Sequence, residues 1–320
     1  MKNKIILVGA GNIGRRYLEG IVKLETPLEI NVYDKNINSL KIIQEKFYEI
    51  NSKNNKHKIS LNSEKKKKSN CDLVIIATSS YERLKIIDQY KKKFNTKFWI
   101  VEKILEQSSD NTNNILSHLH NNRKVFAWVN TPRRIMKFYA ELKKKVYPNI
   151  PKKISVNGGL WGMACNAIHF IDIVEWLTNQ KIISVSTKNV DSKWIKSKRI
   201  GFCEITGELS IYFSKGTELI LRSDPLLKDY LIDIEIKDND FWQIDETKGT
   251  MKHSSGKKII GKVDYLSDLC GDLVQDILDN GSCNLTSIKE SCRQHKILLN
   301  ALLKHWNIHN NKKDKMVPIT

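Results

Sequence analysis

No stretch of this chain approaches the roughly 18 consecutive apolar residues that a membrane-spanning helix requires, so none of it reads as a transmembrane segment. Cysteine is sparse. The six thiols, at Cys71, Cys165, Cys203, Cys270, Cys283 and Cys292, show no C-x-x-C spacing, which argues against a disulfide framework or a zinc knuckle and suits a reducing cytoplasm. His305 and His309 stand four apart, as metal ligands on a helix do, but lack the glutamate of an H-E-x-x-H motif. We expect no metal there and read the pair as solvated tail residues. No self-similarity at 20 to 50 residues appears, which excludes a repeat architecture. Acidic residues are in deficit, with 35 Asp and Glu against 54 Lys and Arg and a formal net charge of +19. The lysines are spread along the whole chain. Their densest run, 65–68, reads as a solvated loop, so no nucleic-acid reader is expected, although the excess charge is compatible with an anionic substrate. Lys2 and Lys4 followed by apolar residues superficially resemble a leader, but that run is short and ends in glycines.

What is present begins with that run. Ile5-Ile6-Leu7-Val8 reads as a strand buried on both faces, and Gly9-Ala10-Gly11-Asn12-Ile13-Gly14 follows it in the G-x-G-x-x-G pattern. The first glycine allows the tight turn, the second leaves room for a pyrophosphate, and the third lets the next helix pack closely on the strand. A helix opening near Asn12 would point its free N–H groups at the phosphates. A second apolar run ends in Asp34, about 20 residues beyond Gly14, where a ribose-binding carboxylate belongs. Such a carboxylate favours NAD(H) and repels the 2′-phosphate of NADP(H). Lys35 offsets part of that repulsion, so NADP(H) stays open.

Taken in order, the pattern predicts a helix over 39–50, a minor strand over 57–61, a buried strand over 72–78 and a helix over 81–93. A strand over 97–101 ending in Glu102-Lys103, a helix over 109–121 and a strand over 124–129 come next. Strands alternating with helices imply a mostly parallel, doubly wound sheet, with ligands at the carboxyl ends of its strands. Beyond residue 130 the rhythm changes. A helix over 134–146, a strand over 153–157 ending at Gly158-Gly159 and a helix over 164–177 lead to alternating stretches at 182–190, 203–213, 217–223, 231–237 and 240–245. These read as antiparallel strands of an open sheet. Helices near 265–280 and 288–307 close the chain, and the Asn/Lys stretch before Val317 reads as mobile. The fold class is therefore α/β, with a nucleotide-binding domain over 1–130 and a substrate or oligomerisation domain over 131–320.

Lys103, at the end of a strand beside the glycine turn, is placed to hydrogen-bond a reacting hydroxyl or transfer a proton. The alternative is a solvated lysine or one paired with Glu102. Cys165, His169 and Asp172 fall at i, i+4 and i+7 on one helical face. His169 is the natural acid/base of the three, with Asp172 supporting it. A histidine satisfied at a domain interface is the competing reading.

Gly9-x-Gly11-x-x-Gly14 with Asp34, Ala77-Thr78, Glu102-Lys103, Arg133-Arg134, and Gly158-Gly159 leading to His169-x-x-Asp172 together resemble the Gfo/Idh/MocA oxidoreductases, over almost the whole chain. The closing segment, 281–299, is similar too. The resemblance implies a Rossmann domain followed by an α/β domain with a large, mostly antiparallel open sheet, through which such chains pair as homo-oligomers. It implies cofactor contacts from Gly9, Gly11, Asn12, Ile13, Gly14, Asp34, Ala77, Thr78, Ser79, Glu102 and Lys103, with Lys103 and His169 as the catalytic pair. Several positions depart from the pattern. Ile104 replaces the proline after the lysine, Ser79 replaces the proline after Ala77-Thr78, Arg83 replaces a helix histidine, and Cys165 stands where an aspartate is usual.

The function expected is hydride transfer to or from a hydroxyl or keto carbon of a sugar or nucleotide-sugar, with surface polysaccharide as one destination of the product. Trp161 is a candidate to stack on the sugar, Arg134 to pair with a phosphate, and Cys165 and Asn166 to touch substrate. Trp161 reads equally as core and Arg134 as a brace. With Cys165 in place of the acid, the alternative is a dinucleotide-binding sensor or scaffold without turnover.

Overall fold

The computed structural model describes residues 2–52, 56–62, 68–120, 125–237 and 239–320. Lysines 65–67 of the basic run, and residues 121 and 124 at the ends of two predicted elements, lie outside them. The chain divides into two compact units. One comprises Met1–Glu106, Asn113–Asn130 and Asp264–Glu290, and the other Gln107–Thr112, Thr131–Val263 and Ser291–Thr320.

The first unit is built on a seven-stranded sheet in the order Thr286–Ser287, Phe126–Asn130, Phe98–Glu102, Leu73–Ile76, Asn3–Val8, Leu28–Tyr33, Lys58–Leu61. All neighbours are parallel except the two-residue Thr286–Ser287 strand, which the sequence pattern did not announce. Ile5 sits opposite Ile30 on one side and Leu73 on the other. The two innermost strands are apolar over Ile5–Val8 and Leu73–Ile76 because both faces are covered there, and Ile5, Ile6, Leu7 and the whole of Leu73–Ile76 are inaccessible to solvent. The Ile37–Asn51 helix buries Leu40, Ile43 and Phe47, as their spacing requires, and the Asn36 side chain caps it by accepting from the Ser39 N–H. The Asn12–Ile21 and Leu266–Asn280 helices cross closely at Gly20. A Cβ added there would lie 2.2 Å from Cys270 Sγ and 2.9 Å from the Ser267 carbonyl oxygen.

The second unit carries an eight-stranded sheet. Its order is Ile182–Val190, Gly207–Phe213, Glu218–Ser223, Lys153–Gly158, Leu231–Lys237, Asp240–Asp245, Thr250–His253, Lys258–Ile260. Only Glu218–Ser223 with Lys153–Gly158 is parallel. The strand predicted over 203–213 is two strands: Cys203–Glu204 pairs with Ile195–Lys196, and Gly207–Phe213 joins the large sheet. The break has a local cause, since Gly207 takes φ +90° and a Cβ there would stand 2.6 Å from the Asn189 carbonyl. Thr250–His253 and Lys258–Ile260 were not foreseen, because their short stretches carry little apolar alternation beyond the buried Met251. The helix predicted over 134–146 is a 3-10 turn, Pro132–Ile135, followed by Lys137–Val146, separated by Met136 in extended conformation.

Two tail expectations are corrected. His305 is not solvated: it is buried and accepts a hydrogen bond from Trp194 Nε1 on Nδ1 at 3.1 Å. The stretch after His309 folds back, with Trp306 Nε1 donating to Asp314 and the Asn307 amide to the Asp314 carbonyl. Val317 and Ile319 are then fully buried.

Candidate active site

In the first unit the glycine turn has the geometry its spacing predicts. Gly9 adopts φ +104°, and a Cβ there would stand 2.8 Å from the Ala77 backbone. Gly14 permits no side chain, for its Cβ would be 1.8 Å from the Gly9 carbonyl oxygen. Around Gly11 nothing lies within 4 Å, which leaves the backbone open to a ligand. The Asn12–Ile21 helix begins there with no side-chain cap and no acid in its first turn, so its N-terminal dipole meets no carboxylate of its own. Asn12 is exposed and accepts from Arg15, and Ile13 is half-buried. These features fit a dinucleotide: an open backbone cradle, a free helix start and an acid at the next strand.

That acid, Asp34, accepts the Ala10 N–H at 2.6 Å and the Asn36 N–H at 2.8 Å. A carboxylate has further lone pairs for ribose hydroxyls. Asn62, which no sequence signal marked, orients Asp34 by exchanging hydrogen bonds with its backbone N–H and carbonyl. Ala77 pairs with the Val8 carbonyl, and Thr78 and the exposed Ser79 follow at the strand end. Arg83, which stands where the resemblance implies a histidine, is wholly buried and donates to the carbonyls of Thr78, Glu102 and Ile104. It therefore ties together two strand ends on which site residues were placed. Glu102 is buried and accepts from the Tyr17 hydroxyl and the Asn130 amide. Burial pushes its carboxyl above the usual range, against the opposing pull of those two donors. Lys103 follows it, half-buried, joined to Ile104 by a cis peptide bond.

Gly11→Ala is expected to leave the melting temperature unchanged while weakening dinucleotide binding. Gly14→Ala should cost about 1–3 kcal/mol by overpacking. Thermal unfolding with and without NADH separates the two. Equal destabilisation by both would mean that Gly11 serves the fold and not a ligand.

In the second unit the Met163–Thr178 helix carries the histidine. Gly162 enters it at φ +75°, and Glu204, from a different strand, caps it by accepting the Ala164 and Cys165 N–H groups at 2.8 and 3.3 Å. A carboxylate thus stands at Cys165 after all, although on its backbone. The Cys165 thiol donates to the Gly162 carbonyl, and the Asn166 amide to that of Trp161. Gly158 and Gly159 let another segment close in. A Cβ on the first would meet the Tyr230 ring at 2.8 Å, and on the second the Leu227 carbonyl at 2.7 Å.

The result is a cavity of about 340 Å³. Three of its lining residues, Trp161, Asn166 and His169, were candidates in the sequence, and four were not: Arg133 as a lining group, Phe170, Tyr230 and Glu246. Trp161 meets Phe170 and Tyr230 edge-on, with ring centroids 5.5 and 5.9 Å apart, and its indole N–H donates to the Arg222 carbonyl. Arg133 Nε and Nη2 each donate to a Glu246 oxygen at 2.9 Å, and the Tyr139 hydroxyl donates to the same carboxylate. Burial would raise the Glu246 carboxyl, but Arg133 and Tyr139 outweigh it and hold it below the usual range.

Asp172 and Arg134 do not line this cavity. Arg134 Nε and Nη2 donate to the fully buried Asp172 carboxylate at 3.0 and 2.5 Å, and the Thr131 hydroxyl adds a third bond at 3.0 Å. The arginine expected at a phosphate is turned to this pair, as is the acid expected beside the imidazole. Burial pushes the thiols of Cys71, Cys270, Cys283 and Cys292 up to about 12, as befits packing groups and not nucleophiles. Among the described residues no group of three or more His, Cys, Asp or Glu is arranged to hold a metal, and no helix is long and apolar enough to cross a membrane.

No family model matches the chain, and no curated protein matches it by sequence. Solved structures do match by fold. UDP-N-acetylglucosamine 3-dehydrogenase from Acidithiobacillus ferrooxidans is 11% identical with a TM-score of 0.68, covering 94% of this chain and 97% of its own. The myo-inositol dehydrogenase from Lactobacillus casei, solved with NAD(H) and myo-inositol, is 14% identical with a TM-score of 0.68, over 98% and 96% of the two chains. The myo-inositol 2-dehydrogenase from Lactobacillus plantarum is 17% identical with a TM-score of 0.67 over 100% of both.

Proposed function

We propose that this chain, which has the two-domain α/β fold of Gfo/Idh/MocA-type oxidoreductases, is an NAD(H)-dependent dehydrogenase or reductase acting at a hydroxyl or keto carbon of a sugar, free or nucleotide-linked. The observation that carries the reading is the glycine turn. Its backbone is open at Gly11, closed to side chains at Gly9 and Gly14, and backed by Asp34 on the Ala10 and Asn36 amides. That combination recognises a pyrophosphate and an adjacent ribose diol.

Gly9, Gly11, Asn12, Ile13 and Gly14 would hold the phosphates, Asp34 the adenosine ribose, and the strand-end residues Ala77, Thr78, Ser79 and Glu102 the remainder. When bound, the dinucleotide supplies or accepts the hydride. His169, facing a cavity with aromatic walls, takes the hydroxyl proton during oxidation and returns it during reduction. Lys103, at a strand end of the nucleotide-binding unit, is the proposed hydrogen-bond donor to a reacting oxygen, steadying negative charge that grows there. A sugar nucleotide destined for surface polysaccharide is its narrowest form.

Absorbance at 340 nm, with NAD+ or NADH and a panel of sugars and cyclitols, tests it. A change is expected with at least one compound, faster with NAD(H) than with NADP(H) because of Asp34. Saturable binding of NADH and a sugar without any change would favour the sensor reading that Cys165 prompted, and absence of NADH binding would remove both.

A further inference from the structure

The cavity beside His169 contains an arginine that is already satisfied. A buried guanidinium facing a pocket is ordinarily an anion receptor, because its planar fork matches a carboxylate or phosphate in two parallel bonds. Here Nε and Nη2 of Arg133 make those two bonds to Glu246, each at 2.9 Å. The guanidinium carbon lies 4.4 Å from the Phe170 ring centroid, so its flat face is covered as well. Tyr139 donates to Glu246 and anchors the carboxylate against displacement. An incoming anion would have to compete with an internal carboxylate for the same fork, and it would do so beside that carboxylate's negative charge. Like charges brought together in a desolvated site are strongly unfavourable.

The other walls suit a neutral saturated ring. Trp161 and Tyr230 present aromatic surface, on which the C–H face of a pyranose or cyclitol is removed from water, and Asn166 adds a polar group to the lining. At about 340 Å³ the cavity is near the lower end of the usual 300–1,000 Å³ for ligand pockets, the space of a single ring.

We infer that this cavity selects an uncharged polyhydroxylated ring and rejects the corresponding uronic acid, and that Glu246 sets the choice by occupying Arg133. The inference narrows the substrate class of the proposed oxidoreductase and rests on that reading for turnover, but not for binding.

Binding is therefore measured separately. The full chain is titrated with myo-inositol, D-glucose and D-galactose, and with D-glucuronate and D-galacturonate, following tryptophan fluorescence, with Trp161→Phe identifying the responding indole. At least one neutral ring is expected to bind about tenfold or more tighter than either uronate. In Glu246→Gln the guanidinium is released, and the ratio should shift by about tenfold or more toward the uronates. Equal or tighter uronate binding by the wild-type chain overturns the inference, as does no response to any neutral ring. A folded Glu246→Gln protein with unchanged preference removes Glu246 as the determinant. The wild-type comparison decides the selectivity without any variant. A neutral ring that binds but supports no NAD(H) turnover would sink the oxidoreductase reading alone, whereas turnover of uronates in preference to neutral sugars would sink the selectivity alone.

Discussion

Replacing Lys103 by methionine is expected to lower kcat by about 10²–10⁴-fold, the range that a positioned proton-handling group contributes, while NADH affinity changes by less than about threefold. Methionine keeps the length and apolar stem of lysine but removes the charge and the donors. The backbone around it should hold, since Arg83 fastens the carbonyls of Glu102 and Ile104 on either side. The loss therefore reports on chemistry and not on folding. Steady-state kinetics on whichever sugar is turned over, with an NADH titration by fluorescence, measures both quantities. Turnover within threefold of wild type would take Lys103 out of the mechanism, and a matched fall in NADH affinity would make it a cofactor ligand only.

Asp172→Ala should destabilise the protein by about 3–5 kcal/mol, because it strips the partner from a largely buried guanidinium. Asp172 is inaccessible to solvent, and Arg134 points two donors at it. Against a typical total stability of about 5–15 kcal/mol, that is enough to leave a substantial unfolded population. Urea unfolding followed by circular dichroism gives the value. Removing both charges together, as Arg134→Met with Asp172→Leu, should recover most of the loss, since the desolvation cost of the pair disappears with it. A single-variant effect below about 1 kcal/mol would show that Asp172 is no brace and return it to consideration as a partner of His169.

The fate of Arg134 and Asp172 shows how far a helical repeat carries. Spacing put Asp172 on the face of His169, but which neighbour would claim the carboxylate depended on residues 38 and 41 positions away, Arg134 and Thr131. The same limit hid Glu246. It is one acid at the end of a strand, with no motif around it, and it meets Arg133 and Tyr139 across 113 and 107 residues of chain. Glu204 caps its helix from 39 residues beyond Cys165. Tyr230 left a faint signal in the Gly158-Gly159 pair, since adjacent glycines at a strand end mark a close approach of other backbone or rings.

Where physics is local, the amino-acid order was sufficient. Unbroken apolar runs can be satisfied only between two covered faces, and a glycine turn immediately after such a run leaves few conformations, so the parallel sheet and the geometry of its glycine turn were legible residue by residue. Alternation in the later strands likewise announced an open sheet. Which charged groups remain available for a ligand and which neutralise one another was settled only by the folded chain, because a guanidinium takes the nearest carboxylate in space, and nearness in space between distant strands and helices is written in no local pattern.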